Sequence, residues 1–469
     1  MIKFSSLRHK TSLVIAVVMV MVFLTTASAY GDDYNEYLLE GLKDIIIDKY
    51  VDHLDYEDLE GETPKDLFEN LDSHSEYYTK EEFESFIEDI TGEFAGIGAY
   101  IEERDKKVYI ADVISGAPAE KAGLKAGDEI LKVDDTLTRG MSSSEVASII
   151  RGPEDTEVTI RIRRAGVKNL LKFTITRGII ESNPIEWDII DGIGYISIEV
   201  FNEKADDYFK KAVDIMEEKE IEKVIIDVRN NPGGSIDEVV NICRYLVPRG
   251  PVVFIEFKGH NLTYSSFLDE PVFDDIVVLA NEGSASASEI LAAAVQDTKA
   301  GVVVGKQTYG KGSVQRVYGL FNGGGYKLTE ARYLSPNKTT IDGVGVTPNF
   351  DVDRLPEEFK IDDLLGLIPT KTINKGDKSD DVLAIQQRLQ IIGYEISDED
   401  GVYGEATQEA IDTFKKEYGF THQELTPELQ YSIDFVFRLI VSSEENDLQL
   451  QFALDYLKNE EVEAEASNQ

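Results

Sequence analysis

The sequence predicts a multidomain α/β protein. Between residues 179 and 368, short apolar runs alternate with helical stretches at 203–219, 237–246 and 286–296. This alternation is typical of an α/β core whose functional groups lie at strand ends. The texture changes to glycine-rich strands from Glu93, and amphipathic helical patterns follow residue 376. The 469 residues are enough for about three domains.

Five apolar runs supply the predicted strands of the α/β core. Each is short and rich in Val and Ile, as buried strands are. The runs are Ile193–Ile198, Val224–Val228, Val252–Ile255, Ile276–Ala280 and Val302–Val304.

Composition excludes nucleic acid as a partner. The formal net charge is −42 at pH 7, whereas nucleic acid phosphates are bound by clusters of Lys and Arg. The single Cys243 lies in an apolar helical pattern. It therefore favours a core position over a nucleophile, and it excludes a disulfide within one chain.

The first 29 residues are typical of an export signal peptide. Lys3, Arg8 and Lys10 precede an apolar stretch from Leu13 to Leu24, and Ala-Ser-Ala at 27–29 fits a cleavage site. An uncleaved membrane anchor is the alternative, although twelve apolar residues are short for a span. We therefore expect an exported protein.

The stretch Asn-Glu-Gly-Ser-Ala-Ser-Ala-Ser-Glu, residues 281–289, joins a predicted strand to a predicted helix. A helix start leaves backbone N–H groups unpaired and carries the positive end of the helix dipole. A serine there lies beside donors that could stabilise an oxyanion. Ser286 with Glu289 also fits the S-x-x-E capping box, so helix capping alone would explain the stretch.

A second stretch, residues 305–315, follows another apolar run and carries Lys311 between two glycines. A neutral lysine amine can activate a serine when burial lowers the lysine pKa. Taken alone, Gly-Lys-Gly is more typical of an exposed turn.

Together the two stretches resemble the C-terminal processing (tail-specific) proteases, whose pattern N-x-G-S-A-S-A-S-E is followed by G-K-G-x-V-Q. The resemblance implies a crotonase-like core and a Ser-Lys dyad in which the lysine follows the serine by 25 residues. That spacing identifies Ser286 as the nucleophile, Lys311 as the general base and Gln315 as the residue that orients the lysine. It implies no metal or other cofactor.

The loop Arg-Asn-Asn-Pro-Gly-Gly-Ser, residues 229–235, follows another predicted strand. Its turn residues alone would explain it as a tight turn. The family resemblance implies that this loop supplies an oxyanion-hole N–H. We expect that donor to be Gly233, with Gly234 as the alternative and Ala287 N–H as the second donor.

Residues 91–178 resemble a PDZ domain. The stretch Phe-Ala-Gly-Ile-Gly-Ala-Tyr-Ile at 94–101 looks like its carboxylate-binding loop, and residues 115–130 look like its central helix and turn. Backbone N–H groups of Gly96, Ile97 and Gly98 could converge on a peptide carboxylate while the peptide adds as a strand. A hairpin turn would also explain the glycines. Arg151 matches a position that couples peptide binding to activation in some relatives.

Residues 369–440 resemble a peptidoglycan-binding domain. An amphipathic helix is followed by the core Asp-Gly-Val-Tyr-Gly-Glu-Ala-Thr at 400–407. The usual third-helix ending is degraded after Phe420, so a structural or dimerising role is the alternative to wall binding. Residues 441–469 contain a helix that ends the protease portion in relatives, followed by an acidic tail.

Three tempting features are set aside. His74 lies in the predicted helical region at 30–90, in a segment that is structural in the resembled family. The pattern Ser-Pro-Asn-Lys at 335–338 fits S-x-x-K, but no helix pattern or S-D-N partner accompanies it. The histidines form no H-E-x-x-H pattern and no Cys-His pair that would indicate a cell-wall hydrolase.

The predicted function is therefore that of an exported serine endopeptidase. Its expected substrates are proteins with a free apolar C-terminus, and the family resemblance implies a homodimer. A binding protein with an inactive protease body is the main rival, although all three predicted catalytic side chains are present.

Overall fold

A computed structural model describes residues 31–104, 107–356, 359, 364–367, 369–421, 424–441 and 443–458. The predicted signal peptide and the acidic tail lie outside these ranges. The described chain divides into two compact units, of which the first holds residues 31–93, 181–303 and 307–347. The second holds residues 94–180, 304–306 and 348–458. No helix within the described ranges has the length and apolar character needed to cross a membrane.

The N-terminal region is helical, as predicted. Leu42, Ile46 and Leu67 pack with Tyr326 and Leu328, which lie later in the same unit. This packing buries one face of the first two helices. The elements are α1 (Gly31–Lys49), α2 (Pro64–Phe68), β1 (Glu76–Tyr78) and α3 (Lys80–Thr91).

The predicted PDZ region forms a small antiparallel sheet with two helices. Val108, Ile110, Ile160 and Ile162 alternate along their strands and are fully buried, as the two-residue period of a half-buried strand requires. The elements are β2 (Glu93–Gly96), β3 (Ala99–Arg104), β4 (Lys107–Val113), α4 (Pro118–Ala122), β5 (Glu129–Val133), β6 (Thr136–Leu137), α5 (Ser143–Ile150), β7 (Glu157–Arg163), β8 (Leu171–Thr176) and β9 (Gly178–Glu181). The strand order β3-β4-β5-β7-β8 leaves β3 at one edge.

The protease region contains a central sheet and a second sheet. The central sheet has the order β10-β11-β12-β15-β16-β19 and is parallel from β11 to β15, and its helices α6, α7 and α8 pack on a large apolar core. The elements are β10 (Ile185–Ile190), β11 (Ile193–Ile198), α6 (Ala205–Glu218), β12 (Lys223–Asp227), α7 (Ile236–Leu246), β13 (Gly250–Phe257), β14 (His260–Ser266), β15 (Asp275–Ala280), α8 (Ala287–Thr298), β16 (Gly301–Gly305), β17 (Ser313–Gly319), β18 (Gly325–Leu334) and β19 (Phe350–Asp351).

The run Val252–Ile255 forms a strand, as predicted, but it does not join the central sheet. It lies in β13, which pairs antiparallel with β14 and β18 in the second sheet. The reason is local. Lys258 and Gly259 make a two-residue turn between Phe257 and His260, and such a turn commits the two strands to a hairpin.

The C-terminal region contains three helices around one apolar cluster. A third helix is present although the family's usual sequence ending is altered after Phe420, and its Leu429 and Ile433 are fully buried against Leu389 and Phe414. A last helix packs on Phe350 through Phe452 and Tyr456. The elements are α9 (Asp380–Ile391), α10 (Glu405–Tyr418), α11 (Pro427–Val441) and α12 (Leu448–Lys458).

Candidate active site

Three loops meet at the carboxyl end of the central sheet, following β12, β15 and β16. Because β12 and β15 are parallel and in register, their ends lie side by side. Backbone hydrogen bonds then join the loops. Ala285 N–H donates to Asn231 O at 3.0 Å, and Tyr309 N–H donates to Ser284 O at 3.1 Å. The predicted nucleophile and the predicted base therefore lie on directly connected loops.

The structure distinguishes the three serines of the nucleophile loop. Ser284 Oγ donates to Val228 O at 2.7 Å, and Ser288 Oγ donates to Asn231 O at 2.9 Å. Both of these serines are fully buried. Ser286 is half-buried, and its hydroxyl takes part in a capping box with Glu289 at the start of α8 but donates to no group among the described residues. Of the three, Ser286 is thus the serine whose hydroxyl is available for chemistry.

Ser286 adopts a strained backbone conformation. Its φ is 55° and its ψ is −112°, a combination that L residues rarely adopt. Such a residue typically costs about 1–3 kcal/mol and persists only where its surroundings hold it. Two buried side chains, Glu289 and Tyr333, contact the backbone of Ser286 and keep it in this conformation.

Glu289 fixes the backbone N–H groups of both predicted dyad residues. Its Oε2 accepts from Ser286 N–H at 2.9 Å and from Lys311 N–H at 2.8 Å. Its Oε1 accepts from Thr308 Oγ1 at 2.6 Å and from Gly310 N–H at 2.7 Å. The side chain is completely buried, and four donors compensate its charge. A residue expected only to cap a helix therefore also holds the lysine loop.

Tyr333 reaches the carbonyl groups of the same two residues. Its hydroxyl lies 3.1 Å from Ser286 O and forms a very short contact with Lys311 O. Its backbone N–H donates to Gly312 O at 2.9 Å. Ser286 and Lys311 thus share one partner for their N–H groups and another for their carbonyl groups.

The environment of Lys311 favours a neutral amine. Burial lowers the pKa of Lys311 and the charge of Lys327 lowers it further, whereas Asp72 and Glu289 oppose the shift. Among the described residues, Lys311 Nζ has neither a hydrogen bond nor an ion pair. The structure therefore pairs the backbones of Ser286 and Lys311 without a bond between their side chains.

Gln315 makes no hydrogen bond to Lys311 among the described residues. Its Nε2 donates to Ser313 Oγ at 2.8 Å and to Thr329 Oγ1 at 3.2 Å. Thr329 Oγ1 in turn donates to Asp72 Oδ1 at 3.1 Å. The pairing of β17 with β18 shifts by one residue between Val314 and Gln315, which places Gln315 opposite Thr329.

The glycine loop lies against the nucleophile. A Cβ at Gly233 would lie 2.7 Å from Ser286 Cβ and 3.0 Å from Ala287 N, and the Gly233 φ of 105° also disfavours a side chain. However, Gly233 N–H donates to Asn231 Oδ1 at 2.8 Å. Gly234 N–H has no acceptor among the described residues. Ala287 is the first residue of α8, so its N–H has no acceptor within the helix.

In the other unit, the Gly96-Ile97-Gly98 loop connects β2 to the edge strand β3. Ile97 and Gly98 are buried, yet their N–H groups have no acceptor among the described residues. A Cβ at Gly98 would lie 2.3 Å from Ala117 Cβ and 3.0 Å from Ile180 Cδ1. Ile97 O accepts from Ala119 N–H at 2.7 Å, and Gly98 O accepts from Ile114 N–H at 3.0 Å. Packing and these carbonyl bonds therefore hold the loop, while the N–H groups of Ile97 and Gly98 stay without acceptors among the described residues.

Arg151 lies at the end of α5, in the same unit as this loop. Its guanidinium is 4.5 Å from the centre of the Phe94 ring. The next residue, Gly152, donates through its N–H to Ala95 O at 3.4 Å. Arg151 thus contacts the segment that leads into the Gly96-Ile97-Gly98 loop.

Sequence reasoning missed two contributions to the catalytic loops. Glu289 carried a signal, because S-x-x-E drew attention to it, but its bonds to the lysine loop had none. Tyr333 carried no signal, because an isolated tyrosine in a strand pattern predicts only burial. Residue pairs separated by 22 or 47 positions make these contacts.

Known families and proteins resemble this chain. Models of three families match the chain: Peptidase family S41 at residues 192–352, a PDZ domain at 109–164 and a peptidoglycan binding domain at 378–422. The photosystem II D1 C-terminal processing protease structure matches with 27% identity and a TM-score of 0.44, over 70% of this chain and 94% of that chain.

Two relatives match over most of their length. A "Probable CtpA-like serine protease" of Staphylococcus aureus (strain N315) is 30% identical over 425 residues, which cover 88% of this chain and 84% of that protein. The carboxy-terminal processing protease CtpA of Bacillus subtilis (strain 168) is 31% identical over 447 residues, or 92% of each chain. The chain therefore belongs to peptidase family S41, among the carboxy-terminal processing serine proteases.

Proposed function

We propose that this protein is an exported endopeptidase that cleaves protein substrates with a Ser286–Lys311 dyad. The observation that carries the proposal is the shared hold on the two backbones. Glu289 accepts both N–H groups, and Tyr333 lies against both carbonyl groups. Two residues whose backbones share the same hydrogen-bond partners are positioned to act as a pair.

The dyad would work by proton transfer between its two side chains. Ser286 Oγ attacks the scissile carbonyl carbon, and its proton passes to the neutral amine of Lys311. When the tetrahedral intermediate collapses, Lys311 returns the proton to the leaving amine. Water then attacks the acyl-enzyme and gives a proton to Lys311. The second tetrahedral intermediate collapses to the carboxyl product as Lys311 returns this proton to Ser286 Oγ. Rotating the two side chains into contact breaks no existing hydrogen bond of Lys311 Nζ among the described residues and no bond that Ser286 Oγ donates.

The intermediate's oxyanion would be stabilised by backbone donors beside Ser286. Ala287 N–H, at the helix start, is one of them. The second comes from the glycine loop, either from Gly233 after release of its bond to Asn231 or from Gly234. We assign Gln315 the role of accepting from Lys311 Nζ through its amide oxygen when the dyad closes, since its Nε2 is already anchored by Thr329.

The PDZ domain would read the C-terminus of the substrate. The unbonded N–H groups of Ile97 and Gly98 suit a terminal carboxylate, and the edge strand β3 can accept a peptide as an added strand. A neighbouring pocket would take an apolar final side chain. Arg151, next to Phe94, would couple the binding of a peptide by this loop to activation of the protease.

Three wider properties are part of the proposal. The leader at residues 1–29 would direct export to the outer face of the membrane, the wall or the medium. The matched peptidoglycan binding domain would bind peptidoglycan weakly or, if it does not, would serve as a structural or dimerising module. The protein would act as a homodimer.

The test uses full-length protein, casein and purified cell-wall sacculi. We expect casein cleavage by the wild type and none by folded Ser286→Ala or Lys311→Arg, since arginine effectively never deprotonates. Ser284→Ala is the matched control and should retain activity if it folds. Cleavage by Ser286→Ala would exclude this nucleophile. Digestion of sacculi without digestion of casein would instead identify a wall hydrolase.

A further inference from the structure

We infer that Tyr333 is a positioning residue of the dyad: its hydroxyl sets the separation of Ser286 and Lys311 through their carbonyl oxygens. This inference rests on the proposed function. Tyr333 lies near the end of β18, outside every motif that identified the site. It nevertheless contacts both residues of the proposed dyad directly.

The surroundings of Tyr333 suit a fixed donor. The residue is 1% exposed. Burial raises the pKa of its phenol well above the ordinary value, as do the charges of Glu289 and Asp342. The hydroxyl therefore keeps its proton at neutral pH. Because it has a single proton and both partners are carbonyl groups, the proton is shared between the two.

The two carbonyl groups depend on Tyr333 to different degrees. Ser286 O also accepts from Glu289 N–H at 2.9 Å and from Ile290 N–H at 3.0 Å. For Lys311 O, the Tyr333 hydroxyl is the single hydrogen-bond donor among the described residues. Removal of the hydroxyl should therefore leave the Lys311 carbonyl without a donor, so that Lys311 can shift while Glu289 keeps its bond to Lys311 N–H. The start of α8 should stay in place.

The same strand holds other parts of the site. Thr329, four residues before Tyr333 on β18, bonds the Gln315 amide. β18 thus contacts Gln315 through Thr329 and the carbonyl groups of Ser286 and Lys311 through Tyr333. This strand is the common support of all three proposed catalytic residues.

Tyr333→Phe tests the inference, because it keeps the buried ring and removes only the hydroxyl. We expect a kcat for peptide hydrolysis about ten- to a hundredfold lower with little change in KM, as for a catalytic group misplaced by about 1 Å. Covalent labelling of Ser286 by a small fluorophosphonate should slow to a similar degree. This labelling does not depend on peptide capture by the PDZ domain.

Tyr318→Phe is the matched control. Tyr318 is also buried, lies on the neighbouring strand β17, and accepts from Lys49 Nζ at 3.1 Å while its hydroxyl bonds the Glu330 carboxylate. Its loss should lower the Tm without slowing the labelling. Both variants are assayed at the same interval below their own Tm, so that a difference in stability does not enter the comparison.

The outcomes separate the inference from the proposed function. Labelling of Tyr333→Phe at the wild-type rate, or slowed no more than in Tyr318→Phe, would overturn the role of Tyr333 and leave the dyad intact. Labelling that persists in Ser286→Ala would overturn the dyad itself. A Tyr333→Phe protein with wild-type KM, reduced kcat and slowed labelling would support the inference.

Discussion

The loop around Ser286 and the loop around Ile97 use their backbone groups in opposite ways. At Ser286, N–H and carbonyl groups are bonded to Glu289, Ile290 and Tyr333, and they hold a strained residue in place. At Ile97 and Gly98, the N–H groups have no acceptor in the part of the chain that the structure describes, while packing and hydrogen bonds to the two carbonyl groups hold the loop. A loop that performs chemistry needs a fixed backbone, whereas a loop that binds an anion must leave its donors available.

The largest effect is expected from Glu289→Gln, which breaks the bonded side of the comparison. The substitution replaces one carboxylate oxygen, which accepts two hydrogen bonds, with an NH2 group that can only donate. We expect kcat to fall by about a hundredfold, as for a misplacement of about 1 Å, and the protein to lose roughly 3 kcal/mol of stability. Casein hydrolysis and chemical denaturation measure both.

Glu238→Gln is the control for this variant. Glu238 occupies the same third position of α7 that Glu289 occupies in α8, and it is also buried. Burial raises the pKa of Glu238 to about 7. Its stabilising contribution is therefore present at low pH and lost as the pH rises through about 7. The glutamine variant should gain stability relative to the wild type at pH 8 and keep its activity. Equal loss of activity in both variants would contradict a special role for Glu289.

The unbonded side of the comparison predicts a dependence on the substrate's terminal charge. Charge-assisted bonds to backbone donors are worth roughly 1.5–3 kcal/mol, so amidation of a peptide's C-terminus should weaken binding by about ten- to a hundredfold. Fluorescence polarisation with Ser286→Ala protein compares the acid and amide forms without cleavage. Equal Kd values would exclude carboxylate recognition by the loop.

The two loops should also respond differently to pH. Because the base must be neutral, kcat/KM should rise about tenfold per pH unit up to the lowered pKa of Lys311 and then level off. Lys327→Met removes a charge that lowers this pKa and should move the rise to higher pH, whereas exposed Lys210→Met should not. Peptide affinity should stay constant over the same range. A rise unaffected by Lys327→Met would contradict Lys311 as the titrating base.

The smallest expected difference is the one in stability between two glycine variants, which reports on the packing of the binding loop. Gly98 and Gly127 have φ values of 70° and 85°, but a Cβ meets Ala117 at the first and nothing within 4 Å at the second. Gly127→Ala should cost roughly 1–2 kcal/mol from backbone strain alone. Gly98→Ala should cost roughly 2–4 kcal/mol, because overpacking adds to the strain. Equal thermal shifts would show that the loop is not packed as described.

By itself, the sequence predicted most elements and the residues of the proposed dyad. The predicted helices at 203–219, 237–246 and 286–296 correspond to α6, α7 and α8, since apolar periodicity and caps are local signals. The 25-residue spacing selected Ser286 among three serines. Local signals did not predict which elements pack together. β13 pairs in a hairpin outside the central sheet, and α11 completes a helical cluster despite its altered motif.

Tertiary structure alone decided how the dyad is held. Sequence patterns did not show that the hydroxyls of Ser284 and Ser288 donate to buried carbonyl groups, or that Gln315 donates to Thr329. Nor did they show that Gly233 N–H is already engaged by Asn231. Glu289 and Tyr333 become partners of both Ser286 and Lys311 only when strands distant in the chain come together. A hydrogen bond depends on the distance and direction between two groups in space, and sequence periodicity predicts neither for residues far apart in the chain.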